Sequence, residues 1–230
     1  MSENQFCYKY PHPAVTTDCV ILGYDGNSLQ VLLIERGREP YKGCWAFPGG
    51  FLNPDESAEE GALRELKEET GLDKAYIEQF HAYTMPDRDP RERVITIAYY
   101  ALVRVQEVCG GDDAARARWF PIEEVPQLAF DHDRILQDAM RQLRERIHFM
   151  PIGFELLPEK FTMMDLQQLY EAILDVKFDS HNFSEKMLHY ELLNQLNETT
   201  VPTPKHEAQL YTFNKEKYDV FKQKGFMIEF

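Results

Sequence analysis

Three glutamates, Glu65, Glu68 and Glu69, follow Arg64 directly in the run Arg64-Glu65-Leu66-Lys67-Glu68-Glu69. If residues 58 to 70 are helical, the three stand at i, i+3 and i+4 and project from one face. Carboxylates that close raise one another's pKa unless positive charge lies between them. Magnesium or manganese suits such a patch, because hard divalent cations take oxygen ligands and keep positions open for water and phosphate. The spacing therefore points to metal-dependent phosphate chemistry, with a solvated acidic helix face as the plain alternative. Ala62, Leu63, Leu66 and Leu72 supply the apolar side that packs this helix onto a core.

The elements around the acids are legible. Ser57 with Glu60 three residues on is a capping-box pattern, and Gly71 after Thr70 is a left-handed helix stop. Gly49-Gly50 lets backbone approach phosphate or metal closely, although a simple turn explains two glycines as well. Ala14 to Gly23 and Leu29 to Glu35 read as apolar strands around the turn Asp25-Gly26-Asn27. Trp45 to Pro48 reads as a short strand leading to the glycines. Ala75 to Thr84, Arg93 to Val105 and Arg116 to Phe120 are further strand candidates. A helix is expected from about Asp131 to Ile147, with Ile135, Met140, Leu143 and Ile147 near one face. The fold class is α/β.

The spacing G-x5-E-x7-R-E-U-x-E-E-x-G-U, with U aliphatic, is met by Gly50, Glu56, Arg64, Glu65, Leu66, Glu68, Glu69, Gly71 and Leu72. This segment resembles an intact Nudix box. The resemblance implies an α/β/α sandwich with a mixed sheet. It also implies a hydrolase that cleaves a pyrophosphate bond in a nucleoside diphosphate linked to another moiety, using Mg2+ or Mn2+ to activate water. Carried over, Glu65, Glu68, Glu69 and Gly50 would hold metal. Glu65, Glu68 and Arg64 would be catalytic, with Glu65 most often the base, and Arg64 and Glu56 would brace the site. Glu92, Asp112 and Asp113 are alternative bases outside the box.

The loop Pro86-Asp87-Arg88-Asp89-Pro90-Arg91-Glu92-Arg93 interleaves three arginines with three acids before the strongest strand candidate. Arginine forks suit phosphate oxygens, so Arg88, Arg91 and Arg93, with Arg36, are candidate substrate ligands; a solvated loop of mutual ion pairs is the alternative. Pro86 resembles the downstream proline of the ADP-ribose pyrophosphatase subgroup, which implies ADP-ribose or a related nucleotide sugar as substrate.

After His148 the chain changes character: Phe149 to Gly153 and Leu157-Pro158 punctuate it and no arginine follows. A boundary is expected there, giving domains 1–149 and 150–230. Beyond it Thr162 to Leu174 and Asn182 to Tyr190 read as helices. Glu191 to Leu196 and Gln209 to Phe213 read as strands around a turn-rich Asn197 to His206, and Asn214 to Lys224 as a last helix. This order suggests a small winged helix. With Phe161-Thr162, Leu166-Gln167, Leu169 to Ile173, Asn182-Phe183 and the loop's Asp87-Arg88-Asp89-Pro90, it resembles the Nudix-related transcriptional regulators. In those, a Nudix domain senses a small ligand and the winged helix binds DNA as a homodimer. Here Lys186 and Lys205 are the candidate DNA contacts.

Two departures favour hydrolysis. The regulators commonly have a degraded box and a basic residue after the Asn-Phe of the recognition helix, whereas this box is complete and Ser184-Glu185 follow Phe183. From residue 149 onward eight lysines stand against thirteen acids, a net of −5, within a whole-chain charge of −14. Phosphate contacts dominate DNA affinity, so an acidic unit lacks the main non-specific term. Lys215, Lys217, Lys222 and Lys224 offer at most a local patch on the last helix. The expected function is hydrolysis, with a DNA-binding, ligand-sensing regulator as the alternative.

No apolar run reaches membrane-spanning length and the N-terminus lacks a signal pattern, so a cytoplasmic enzyme is expected. Cys7, Cys19, Cys44 and Cys109 are widely spaced without a C-x-x-C, which indicates neither zinc nor a disulfide framework. Cys19, in an apolar strand, reads as a core residue.

Overall fold

The computed structural model describes residues 9–72, 75–106, 114–149, 154–203 and 206–224. Its first half is built on β1 (Ala14–Tyr24) and β2 (Leu29–Arg36), an antiparallel pair. Their turn is closed by Asp25 Oδ1, which accepts from the N–H groups of Asn27 and Ser28 at 2.8 Å each, and Gly26 takes the left-handed φ of 94° that the turn requires. β3 (Trp45–Ala46), β4 (Gly49–Phe51), α1 (Ala58–Thr70), β5 (Tyr76–Tyr83), β6 (Val94–Leu102), β7 (Ala114–Pro121) and α2 (His132–Arg146) follow.

The strands form one seven-stranded sheet in the order β3-β2-β1-β6-β5, with β4 added to β1 and β7 to β2. β1 and β6 are parallel and the other pairs antiparallel, so the sheet is mixed as expected. The central strands are mostly apolar because both faces are covered. Cys19, Ile21, Leu32, Tyr99 and Ala101 pack with Ala62 and Leu66 of α1, while Val20, Leu22, Leu33, Tyr100 and Leu102 pack with Ile135 and Leu143 of α2. Burial pushes the Cys19 thiol up to about 12, in keeping with an inert core residue.

The remainder is β8 (Phe161–Thr162), α3 (Met163–Leu174), α4 (Ser180–His189), β9 (Leu193–Thr203), β10 (His206–Phe213) and α5 (Lys215–Lys224). A three-stranded sheet β8-β10-β9 completes the winged helix. Thr162 caps α3 through a box with Asp165, and Asp179 caps α4, which starts two residues earlier than the sequence suggested. The wing also departs from expectation. Asn197 to Thr203 is strand, not turn, and Val201-Pro202 fall between the Thr200–Ala208 and Thr203–His206 pairs, where the register shifts. Turn-forming residues are tolerated there because the hairpin's pairing, not local propensity, sets the backbone. Cys7, Cys109, Asp112, Asp113 and Lys205 lie outside the described residues.

The two halves share apolar contacts. Leu157, Phe161, Leu166, Leu169 and Ile173 belong to the cluster that contains Leu143 and Tyr100. The Arg104 Nε donates to Leu157 O at 2.8 Å, and the Arg144 Nε donates to Ile173 O, in the last turn of α3, at 2.9 Å. Among the described residues no helix is long and apolar enough to cross a membrane.

Leu143 is fully buried in this shared cluster. Leu143→Ala is expected to cost about 2–5 kcal/mol and, in urea melts followed by circular dichroism, to shift a single transition for the whole chain. Two separate transitions, with only one displaced, would show that the halves do not share a core.

Candidate active site

The strand register assembles the first part of the site. Asp18 lies opposite Gly49, Thr17 opposite Gly50 and Thr16 opposite Phe51. Neither Gly49 nor Gly50 has a left-handed φ, and a turn does not explain them. A Cβ on Gly49 would sit 2.1 Å from Thr17 O, and one on Gly50 would sit 2.2 Å from Glu65 Oε1. The glycines are there for close approach, the second to the Glu65 carboxylate itself.

α1 is capped as the sequence indicated, by Ser57 with Glu60 and by Gly71 at φ 77°. One guanidinium organises its acids. The Arg64 Nε and Nη2 donate to the two Glu56 oxygens at 2.9 and 2.6 Å, and Nη1 donates to Glu65 Oε1 at 2.6 Å and Glu68 Oε2 at 3.1 Å. Nη2 also reaches Phe51 O at 3.1 Å. The bonds from Arg64, followed by the Asn53 N–H, hold the Glu56 carboxyl down at about 2, while those bonds, Glu56's above all, raise the Arg64 pKa. Burial instead raises Glu65. Glu69, only 8% exposed, accepts the Gly49 N–H at 2.8 Å.

Glu65, Glu68 and Glu69 line one cavity of about 790 Å³ together with Gly49 and Gly50. Among the described residues no three acidic, histidine or cysteine side chains already converge as a metal cluster. The negative charge of the three glutamates is divided between Arg64 and a backbone N–H.

Arginines form the facing wall, in unequal roles. Arg88 is buried: its Nη2 and Nε donate to Asp131 at 2.7 and 3.1 Å, and Nη2 lies 3.4 Å from Asp18. Carboxylates hold its Nε and Nη2, while the residue also lines the cavity. The Arg91 Nε and Nη2 are held by Asp89 at 3.0 and 2.7 Å. Arg36 donates its Nε to Pro40 O at 2.8 Å and stacks on Phe130 at 4.7 Å, and burial, then the charge of Arg91, lowers its pKa. Arg93 is exposed and does not line the cavity; its carbonyl, bonded to the Ala14 N–H at 2.9 Å, ties it to the start of the sheet. Glu92 is likewise exposed and outside the cavity.

Asp18, Asp131, His132, Phe51 and Phe130 were not singled out from the sequence. His132 stacks on Phe47 at 5.0 Å, accepts the Phe47 N–H on Nδ1 at 3.1 Å and sets Nε2 3.7 Å from Asp18 Oδ2. Burial lowers its pKa, so it is a neutral buttress beneath the cavity. Asp18 did leave a signal: it is a lone carboxylate inside an otherwise apolar strand. Lys186 lies exposed on α4, whereas Lys217 of α5 is paired with Glu191.

Residues 12–139 match the family model described as the NUDIX domain. The chain belongs to the Nudix family. Residues 153–213 match the NrtR DNA-binding winged helix domain. The chain is 34% identical over 218 residues, 91% of its own length and 86% of the relative's, to an ADPR responsive transcriptional repressor, NtrR, of Acinetobacter baylyi. It is 45% identical over 132 residues, 57% of its length and 76% of the relative's, to an ADP-ribose pyrophosphatase of Methanocaldococcus jannaschii. Among solved structures, Shewanella oneidensis NrtR complexed with a 27mer DNA superposes with a TM-score of 0.77 at 28% identity, covering 89% of this chain and 95% of that one. The Nudix box and the winged helix thus each have counterparts, and relatives of both kinds carry ADP-ribose in their names.

Within the Nudix box, Glu56 and Arg64 make a pH-dependent lock. The Glu56 carboxyl, at about 2 in the folded chain against an ordinary 4.5, adds stability that is complete above about pH 4.5 and is lost as pH falls towards 2. In urea melts with a chelator present, the stability gap between wild type and Glu56→Gln should be constant near neutrality and close between pH 4.5 and 2. A gap unchanged through that interval would refute the lock.

Proposed function

We propose that the chain is a divalent-metal-dependent pyrophosphohydrolase acting on ADP-ribose or a related nucleotide sugar, with a domain boundary near residue 150. The observation that carries this is the meeting of all three box glutamates with Arg36 and Arg91 in one cavity. The donor set fits magnesium or manganese: hard carboxylate oxygens of Glu65, Glu68 and Glu69, with Gly50 backbone drawn against Glu65 where no Cβ could fit. When bound, such an ion lowers the pKa of water and neutralises charge on the bridging and leaving oxygens.

The chain's own groups divide the remaining work. Arg64 keeps Glu65 and Glu68 aligned through one nitrogen, and Gly49 N–H fixes Glu69. Glu65, with its pKa raised by burial, is the best-placed group to take a proton from the attacking water. Arg36 is the anion ligand of the facing wall, since no hydrogen bond of its Nη groups is formed among the described residues and a phosphate would relieve its repulsion from Arg91.

Release of phosphate-containing product should be measured from ADP-ribose, other nucleotide sugars, dinucleotides and nucleoside triphosphates, with and without magnesium. Glu69→Gln keeps an oxygen for the Gly49 N–H while removing the charge. It should therefore fold normally yet lose turnover by more than the roughly 10–100-fold that follows loss of an outer-shell partner. Absence of metal-dependent turnover across the panel would sink the hydrolase.

A second reading is supported by the match to repressors along most of the chain: a homodimer that binds duplex DNA through α4 and the wing and responds to a nucleotide sugar in the same cavity. Lys186→Ala should weaken duplex binding and lower the slope of log affinity against log salt by about 1. Wild-type binding that is indifferent to salt, or no binding, would exclude this role.

A further inference from the structure

Arg36 and Arg91 both line the cavity but present different surfaces to it. Asp89, itself buried, grips the Arg91 Nε and Nη2. That occupies most of the fork and fixes the guanidinium plane, so Arg91 offers chiefly a flat cationic face. The face lies 5.2 Å from the centroid of the Phe51 ring. Phe51 is 42% exposed and lines the cavity, one residue beyond the glycine that touches Glu65. Covering the exposed part of this ring with another planar group would remove apolar surface from water.

The backbone around Phe130 is strained. Tyr41 and Phe130, neither of them glycine, hold left-handed φ values of 63° and 54° on separate loops, and their rings meet at 4.7 Å. Such backbones are unfavourable for residues that carry a side chain, and they gather at ligand sites. Their product here is the placement of Arg36, stacked on Phe130 at 4.7 Å. Phe130 thus already meets Arg36, Tyr41 and, at 5.9 Å, Arg91, whereas Phe51 meets Arg91 and keeps open surface in the cavity.

We propose that Phe51 and Arg91 form the nucleobase subsite of the cavity, the planar ring of a nucleoside diphosphate stacking on Phe51 beside the Arg91 guanidinium. The phosphates then lie between the box glutamates and Arg36. Stacking of this kind tolerates different bases because every base has a π face, and the cation adds to it. The inference rests on the nucleotide reading above and adds which aromatic of the cavity takes the base.

AMP carries adenine where ribose 5-phosphate has only its anomeric hydroxyl, so their Kd ratio on the full chain, measured by calorimetry, reports on this subsite without turnover. Wild type should prefer AMP by about 10-fold or more, within the range for one stacked base. Phe51→Ala and the bulk-retaining Phe51→Leu should bring the ratio towards 1, and Phe51→Trp should keep it. An unchanged ratio in both Phe51→Ala and Phe51→Leu would overturn the subsite while leaving nucleotide binding intact. Wild type that binds neither AMP nor ADP-ribose would overturn the nucleotide reading itself.

Discussion

Everything at this site depends on Arg64 holding four carboxylate and carbonyl partners at once. The acids of α1 sit against three penalties. They repel one another, Glu68 and Glu69 occupy the helix's last turn where the macrodipole disfavours negative charge, and Glu65 and Glu69 are largely withdrawn from water. Two like charges 4 Å apart cost about 1 kcal/mol in bulk water and about 4 at the effective dielectric near a protein surface. A planar fork that bonds Glu56 with two nitrogens and still reaches Glu65, Glu68 and Phe51 O offsets these together. A lysine, as a point charge, could not span them. The same guanidinium ties the loop at Glu56, the helix and β4 into one unit, so geometry and electrostatics are settled by a single side chain.

The scaffold makes this unit a wall of a cavity and connects it to the winged helix. β1 meets β4 along its first half and β2 along its second, which sets Asp18 beside the glycines while keeping Ile21 and Leu22 in the two cores. α2 then runs from the cavity to the other half of the chain. Its first residues, with Asp131 before them, hold Arg88 and support Phe47, and near its end Leu143 and Arg144 meet α3. Fifteen helical residues span about 22 Å at 1.5 Å each. The Arg144 guanidinium satisfies a last-turn carbonyl of α3, where positive charge is favoured, so the winged helix is seated on the sheet domain by both apolar packing and a directed charge.

Much of this was legible because it is local. The capping box at Ser57, the stop at Gly71 and the three-residue spacing of the acids are short-range rules, and α1 obeys them at both ends. Apolar, β-branched runs located β1, β2 and β6. What remained hidden depends on contacts between distant residues. The Asp131 grip on Arg88 joins positions 43 apart, and the Phe47 N–H bond to His132 joins positions 85 apart. A charged loop cannot announce which of its arginines will turn inward: Arg88 is buried and committed, Arg91 half so, and Arg93 faces solvent. Gly49 and Gly50 read equally as a turn or a close approach until the Glu65 carboxylate is placed against them.

An intact box and a DNA-binding fold pull one cavity in two directions. A sensor gains from a ligand that stays, since the shift in its DNA-binding equilibrium is bounded by the ligand's differential affinity for the two states and lasts only while the site is filled. A hydrolase empties the same site. What separates the outcomes is local to Glu65, Glu68 and Glu69, because Arg36, Arg91 and Phe51 would serve binding in either case. In the proposed hydrolase, replacing the charge of one box glutamate would therefore shift the balance from consuming the ligand towards holding it, without touching the cavity's other wall. On the hydrolytic reading proposed above, three glutamates with Arg64 bonded to two of them would put the chain on the consuming side, and any response of its winged helix would then be as brief as turnover allows.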